Sequence, residues 1–64
     1  MNKYKKRAHA LADEMAGEMA RKLQHSTPAH MGFPNVTTEQ LIEGERRCWL
    51  EHELRTYRLA GLLD

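Results

Sequence analysis

The segment that begins at Thr38 places apolar side chains on two faces of a single helix, and no other feature constrains the fold as strongly. At about 100° per residue, Leu50, Leu54 and Tyr57 lie on one face. The opposite arc carries Leu41, Ile42, Cys48, Trp49, Leu59, Ala60 and Leu63. One helix of the same chain can cover only one of these faces. The pattern therefore predicts that the other face packs against a second copy of the chain.

The length and the cysteine count also favour association. A chain of 64 residues forms one small domain, whose core is marginal without a disulfide, a metal or a partner. Cys48 is the one cysteine, so no disulfide can form within the chain, and a lone thiol is typical of a reducing compartment. The apolar runs are far too short for a transmembrane segment or a signal peptide. We expect a soluble cytoplasmic protein that makes no membrane contact.

The first helix is predicted over residues 3–24, where apolar side chains recur at three- and four-residue steps. This stripe consists of Tyr4, Ala8, Leu11, Met15, Met19 and Leu23. It is flanked by Ala8, Ala12, Ala16 and Ala20, whose small side chains allow another helix to approach closely. Met15 and Met19 are flexible side chains that either fill a core or line an adaptable groove, and core packing is the preferred interpretation.

Residues 25–37 contain both prolines and no Lys, Arg, Asp or Glu, so the first helix must end there. Pro28 and Pro34 favour an extended link, with a short strand at residues 32–36. Because Pro34 cannot donate a ladder hydrogen bond, the strand would lie at an edge. Its most available partner is the same strand of a second copy.

The second helix is predicted over residues 38–63. Thr37 and Gln40 form a capping box at its start, and Val36 with Leu41 matches a hydrophobic staple. The predicted fold class is mainly α: two helices joined by an extended link with one short strand, in an intertwined homodimer of single-domain chains (1–64). The core and the dimer contacts are assigned to Leu11, Met15, Met19, Leu23, Phe33, Val36, Leu41, Ile42, Trp49, Leu50, Leu54 and Tyr57.

Candidate chemistry is sparse. Glu45, Cys48 and His52 have a spacing that could offer three ligands to a metal, with His25 or His30 as a fourth. No paired CxxC or HxxxH element accompanies them, so a hydrogen-bond network between helices is the preferred interpretation. A catalytic Cys48–His52 pair would need an exposed thiolate, whereas both residues are expected in the core beside Trp49. We predict no catalytic residues, no metal and no cofactor.

The basic residues Lys3, Lys5, Lys6 and Arg7 crowd the start of a chain whose net charge is only +1. Such an arm can contact the phosphates of nucleic acid. Short basic termini more often serve solubility. The second helix region opposes nucleic-acid binding, because residues 38–64 hold four basic and six acidic side chains.

The alanine-rich basic helix, the link FPNVTTEQL and the helix ERRCWLEHELRTYRLAGLL resemble the small early proteins of lambdoid temperate bacteriophages. The similarity is to the open reading frame of the exonuclease–excisionase region. It extends over essentially the whole chain and includes no short diagnostic motif. The resemblance implies a helical homodimer with a short strand, which acts in the host cytoplasm early in infection and favours lytic development. It implies no catalytic residues.

These observations together lead to two functional expectations. The first is a non-enzymatic homodimer that binds a host or phage protein through an apolar groove between its helices. The alternative is a nucleic-acid-binding regulator that uses the basic N-terminal arm. A structural or metal-stapled dimer ranks third.

Overall fold

The computed structural model describes residues 2–63, which form an antiparallel pair of long helices. Helix α1 comprises Lys3–Lys22, a short 3-10 turn comprises Ala29–Met31, and helix α2 comprises Thr38–Leu59. The molecule is a rod with extents of 40 × 17 × 13 Å. The mainly helical fold class is confirmed. No strand occurs within residues 2–63, so the short strand predicted at 32–36 is not confirmed.

The contact between the helices is built on alanine. Ala8, Ala12 and Ala16 are 0%, 1% and 1% exposed, and no larger side chain among residues 2–63 is buried. Residues four apart lie on the same face of a helix, so these alanines form a continuous line against α2. The distance between packed helices depends on the side chains at the contact, and alanine allows a close approach. Large side chains are consequently displaced to the flanks of the contact.

Helix α2 begins where the sequence predicts and ends earlier. The Gln40 amide donates to the Thr37 hydroxyl at 3.1 Å and the Thr37 amide to the Gln40 side chain at 2.9 Å, which confirms the capping box. At the other end, Gly61 has a φ of +74°, a left-handed conformation that terminates the helix. The amide of Leu62 donates to the carbonyl of Tyr57 at 2.9 Å in the accompanying turn. The prediction that α2 continues to residue 63 is therefore wrong.

The link differs more from its prediction. Helix α1 ends at Lys22, two residues before the predicted boundary, in turns rather than in an extended segment. Pro28 precedes the 3-10 turn, and Gly32 ends it with a φ of +91°. The Phe33 amide donates to the Pro28 carbonyl at 2.9 Å, so this backbone is engaged in local turns. Phe33, assigned to the core, is 46% exposed in the single chain.

Asn2 links the start of α1 to the segment that follows α2. Its Oδ1 accepts from the Tyr4 amide at 2.7 Å and caps α1, while its Nδ2 donates to the Leu62 carbonyl at 3.2 Å. The same side chain thus satisfies a free donor of one helix and an acceptor just beyond the other. This contact was not predicted from the sequence, because the two residues are far apart along the chain.

We predict that Ala12→Leu destabilises the protein by about 1 to 3 kcal/mol, because added methylenes in a close helix contact force the backbones apart. Ala10→Leu is the matched control: Ala10 lies on α1 but is exposed, so its change should stay within about 0.5 kcal/mol. Urea unfolding at one protein concentration measures both. Equal effects of the two substitutions would contradict the alanine contact.

Candidate interaction surface

An ion pair marks one side of the hairpin. Arg46 Nε lies 3.0 Å from Asp13 Oδ1 and joins α2 to α1. The same guanidinium also pairs with Glu43, one turn earlier on α2. Glu43 is the larger cause and Asp13 the smaller of a pKa for Arg46 that lies above its ordinary value. Asp13 and Glu43 are exposed and Arg46 is half-buried, so the pairs are close to solvent and contribute little stability. We call this side of the hairpin the ion-pair side.

The opposite side of the hairpin is richer in apolar side chains. Residues two positions apart on a helix point about 160° away from each other. Leu11 and Met15 each lie two positions from Asp13, and Cys48 lies two positions from Arg46. Leu11 and Met15 therefore lie on the side of α1 away from Asp13, and Cys48 lies on the side of α2 away from Arg46. We name this surface the Cys48 face; it comprises Leu11, Met15, Leu41, Cys48, Trp49, His52 and Leu59.

Much of the Cys48 face is in contact with water. Leu59 is 79% exposed, Cys48 and His52 are exposed, and the remaining members are half-buried. The expectation that Cys48 packs in the core is wrong for the single chain. Ile42, Leu50 and Tyr57 are half-buried, which shows that α2 turns the side bearing them towards α1.

Trp49 lies at the edge of the Cys48 face that is nearest to the helix contact. Its indole N–H donates to the Glu45 carboxylate at 2.9 Å, as a half-buried indole requires. The His52 ring meets it edge-on at 6.0 Å between centroids. Cys48, Trp49 and His52 line a shallow cleft of about 240 Å³. A larger hollow of about 480 Å³ lies at the link end, but charged and amide side chains form most of its lining: Asn35, Val36, Gln40, Glu43, Gly44 and Arg47.

The residues considered as metal ligands are arranged for other contacts. Glu45 accepts the indole hydrogen bond, and His30 lies beside the Thr27 hydroxyl in the link. In the part of the chain that the structure describes, no three His, Cys, Asp or Glu side chains come together as a ligand set. Cys48 and His52 are both exposed, on successive turns beside Trp49. The structure thus offers no observation in favour of the metal-stapled alternative.

The antiparallel arrangement concentrates positive charge at the end of the rod where α1 begins. Residues 2–9 and 51–63 contain two acidic side chains and six basic ones, all six exposed, which gives a formal charge of +4. The six are Lys3, Lys5, Lys6, Arg7, Arg55 and Arg58. Residues 10–50 contain four basic and six acidic side chains, a formal charge of −2. Arg55 and Arg58 were not assigned to the basic arm, because only folding brings them beside it.

Two tyrosines pack together at this basic end. The Tyr4 and Tyr57 ring centroids are 5.3 Å apart, and the cations of Lys3 and Arg7 lie 5.2 and 5.8 Å from the Tyr4 ring centre. Loss of hydration is the largest cause that raises the pKa of Tyr57 above its ordinary value. The neighbouring Glu53 carboxylate raises it further, while Arg7 lowers it.

We predict that Glu53→Gln lowers the pKa of Tyr57, because the carboxylate disfavours the phenolate. Phenolate absorbance measures this pKa in a Tyr4→Phe background, which leaves a single tyrosine. A raised folded pKa favours the neutral phenol, so the associated stability is present below about pH 10 and lost as the pH rises through the folded pKa. The Glu53→Gln chain should lose less stability over this range. An unchanged Tyr57 titration would contradict the assignment.

Comparisons of the chain with protein-family models, with curated proteins and with solved structures found no match. No helix among the described residues is long and apolar enough to cross a membrane. Function must therefore be inferred from the surfaces described above.

Proposed function

We propose that the protein is a non-enzymatic homodimer that binds a host or phage protein through an apolar surface. The observation that carries this proposal is the near absence of a core: among residues 2–63, only three alanines are buried. The larger apolar side chains of both helices are at most half-buried, so much of their apolar area remains in contact with water. Association with another chain would supply the missing burial.

The accessible area supports the same proposal. The single chain exposes 4923 Å², whereas a compact monomer of 7.5 kDa exposes about 4,200 Å². The excess of roughly 700 Å² is close to the ~800 Å² that each partner buries in a standard protein interface. The excess is therefore of the size that one additional interface would remove.

A second apolar region remains for another partner. Leu50 and Leu54 lie within about 80° of Arg46 around α2, towards the ion-pair side, and both are half-buried. A dimer that covers the Cys48 face would leave Leu54 accessible. The resemblance to lambdoid phage proteins suggests the biological role: action in the host cytoplasm early in infection, in favour of lytic development.

The alternative function is nucleic-acid binding, and the position of Arg55 and Arg58 beside the basic arm favours it more than the sequence did. A dimer would carry twelve exposed cations at its two basic ends, since each subunit contributes six. These cations are distributed around the tip of the rod and not along one face. Basic side chains at the tip of a rod can contact fewer phosphates along a nucleic acid than a basic face can. Protein binding therefore stays the leading proposal.

Sedimentation at micromolar concentration tests the dimer. We expect a single species of twice the chain mass, with a melting temperature that rises with protein concentration, because association stabilises only the folded state. A folded monomer with the helix content of the structure, at that concentration, would contradict the proposal.

A charge reversal separates the two functions. Lys5→Glu combined with Lys6→Glu should leave the dimer and its effect on the lysogen fraction of infected cells unchanged, because apolar contacts carry partner binding. Arg7 is kept, since it contacts the Tyr4 ring. Leu54→Glu, by contrast, should abolish the effect while the dimer persists.

Duplex DNA binding, followed by anisotropy, completes the comparison. If the unsubstituted protein bound DNA with an affinity that fell steeply between about 50 and 200 mM salt, and the lysine reversal removed that binding, the nucleic-acid alternative would replace our proposal.

A further inference from the structure

We infer that the second copy docks on the Cys48 face in antiparallel orientation, so that two hairpins form a four-helix bundle. The inference rests on the proposed homodimer and specifies which surface it uses and in which direction the subunits run. The structure of one chain supports it through two independent features, the chemistry of the two sides and the distribution of charge along the rod, and the position of Cys48 makes it testable.

The two sides of the hairpin differ in what they offer to another copy. The ion-pair side presents Asp13, Arg46 and Glu43, whose charges would lose water in an interface. The Cys48 face presents a larger share of apolar side chains, from leucine, methionine, tryptophan and cysteine, although Glu18, Lys22 and Glu45 lie on the same side, one heptad from Leu11, Met15 and His52. On α2 it extends from Leu41 to Leu59, a length of roughly 27 Å. Face-to-face packing of two such surfaces gives the layered arrangement of a four-helix bundle.

The charge distribution selects the orientation. Residues 2–9 and 51–63, at one end of each rod, carry a formal charge of +4, and residues 10–50 carry −2. A parallel pair would place the two positive ends side by side, whereas an antiparallel pair places each positive end beside the negative part of its neighbour. The Debye length of about 8 Å at physiological salt is much shorter than the 40 Å rod, so neighbouring ends dominate this energy.

Symmetry then places Cys48 near its own counterpart. In a twofold dimer, residues close to the axis meet the same residues of the other copy. For two antiparallel rods in full overlap, the axis passes through the middle of the helices. Cys48 lies at the middle of α2 (Thr38–Leu59), whereas Leu59 at one end should lie opposite Leu41 of the other copy.

Cross-linking with a short bifunctional maleimide, which joins two thiols without an oxidant, tests the face. The unsubstituted dimer should be joined through Cys48 on the order of 100-fold faster than the Cys48→Ser/Arg47→Cys chain, because a held pair of thiols has an effective concentration near millimolar. Position 47 is a matched control: it is also at the middle of α2 and exposed, but it lies about 100° further around the helix. Equal or faster linkage at position 47 would overturn the inference.

Two further chains test the orientation. Cys48→Ser/Leu59→Cys should not link to itself, but should link rapidly when mixed with Cys48→Ser/Leu41→Cys and allowed to exchange subunits. Rapid self-linkage at position 59 would indicate parallel subunits and overturn the inference.

Sedimentation of the same samples separates the two levels of failure. A dimer that fails the linkage test overturns the docking surface and leaves the proposed dimer intact, whereas a folded monomer overturns both. Fluorescence provides a readout without substitution: Trp49 is the one tryptophan and belongs to the Cys48 face, so its emission should shift to shorter wavelength as the protein concentration rises through the dimer range. A dimer with unshifted emission would overturn the inference.

Discussion

The close contact along Ala8, Ala12 and Ala16 is the constraint on which the other features depend. Because a methyl group fills little space, alanine allows the two helices a close approach, and the larger apolar side chains of the described residues are at most half-buried. The large apolar side chains consequently lie on the two sides of the hairpin. A contact that makes the hairpin narrow therefore also gives it a small core and a large apolar surface. Alanine at these three positions therefore lowers the stability of the single chain and, at the same time, leaves apolar surface free for association.

The antiparallel connection determines the electrostatics in the same way. It brings Arg55 and Arg58 beside the basic start of α1 and places Arg46 against Asp13, although these residues are distant along the sequence. A charge pattern that looks mixed when read along the chain becomes a rod with a positive end. The polarity is modest and is screened over the length of the rod. It can therefore select between orientations of a neighbour that apolar contacts already hold.

The parts of the fold that could be predicted from the sequence are those that local interactions decide. The start of α2 is one, because the Thr37 capping box involves four consecutive residues. The end of α2 was predicted wrongly, since apolar residues continue through Leu63 while one glycine, Gly61, adopts the conformation that ends the helix. The side of α2 that meets α1 could not be chosen either. Its two apolar faces are similar in composition, and the choice depends on how the alanine line of α1 fits between them.

The bond between Trp49 and Glu45 gives the Cys48 face a property that leucine and methionine cannot supply. The indole N–H is already satisfied within the chain, so covering Trp49 leaves no donor unpaired. The second carboxylate oxygen of Glu45 would be unfavourable to cover, because a buried charge without a partner costs several kcal/mol. A docked copy must leave that oxygen in water or bring a donor to it. If apolar contacts alone held two subunits together, many alignments of the two rods would be similar in energy. The Glu45 carboxylate disfavours every alignment that buries it without a partner.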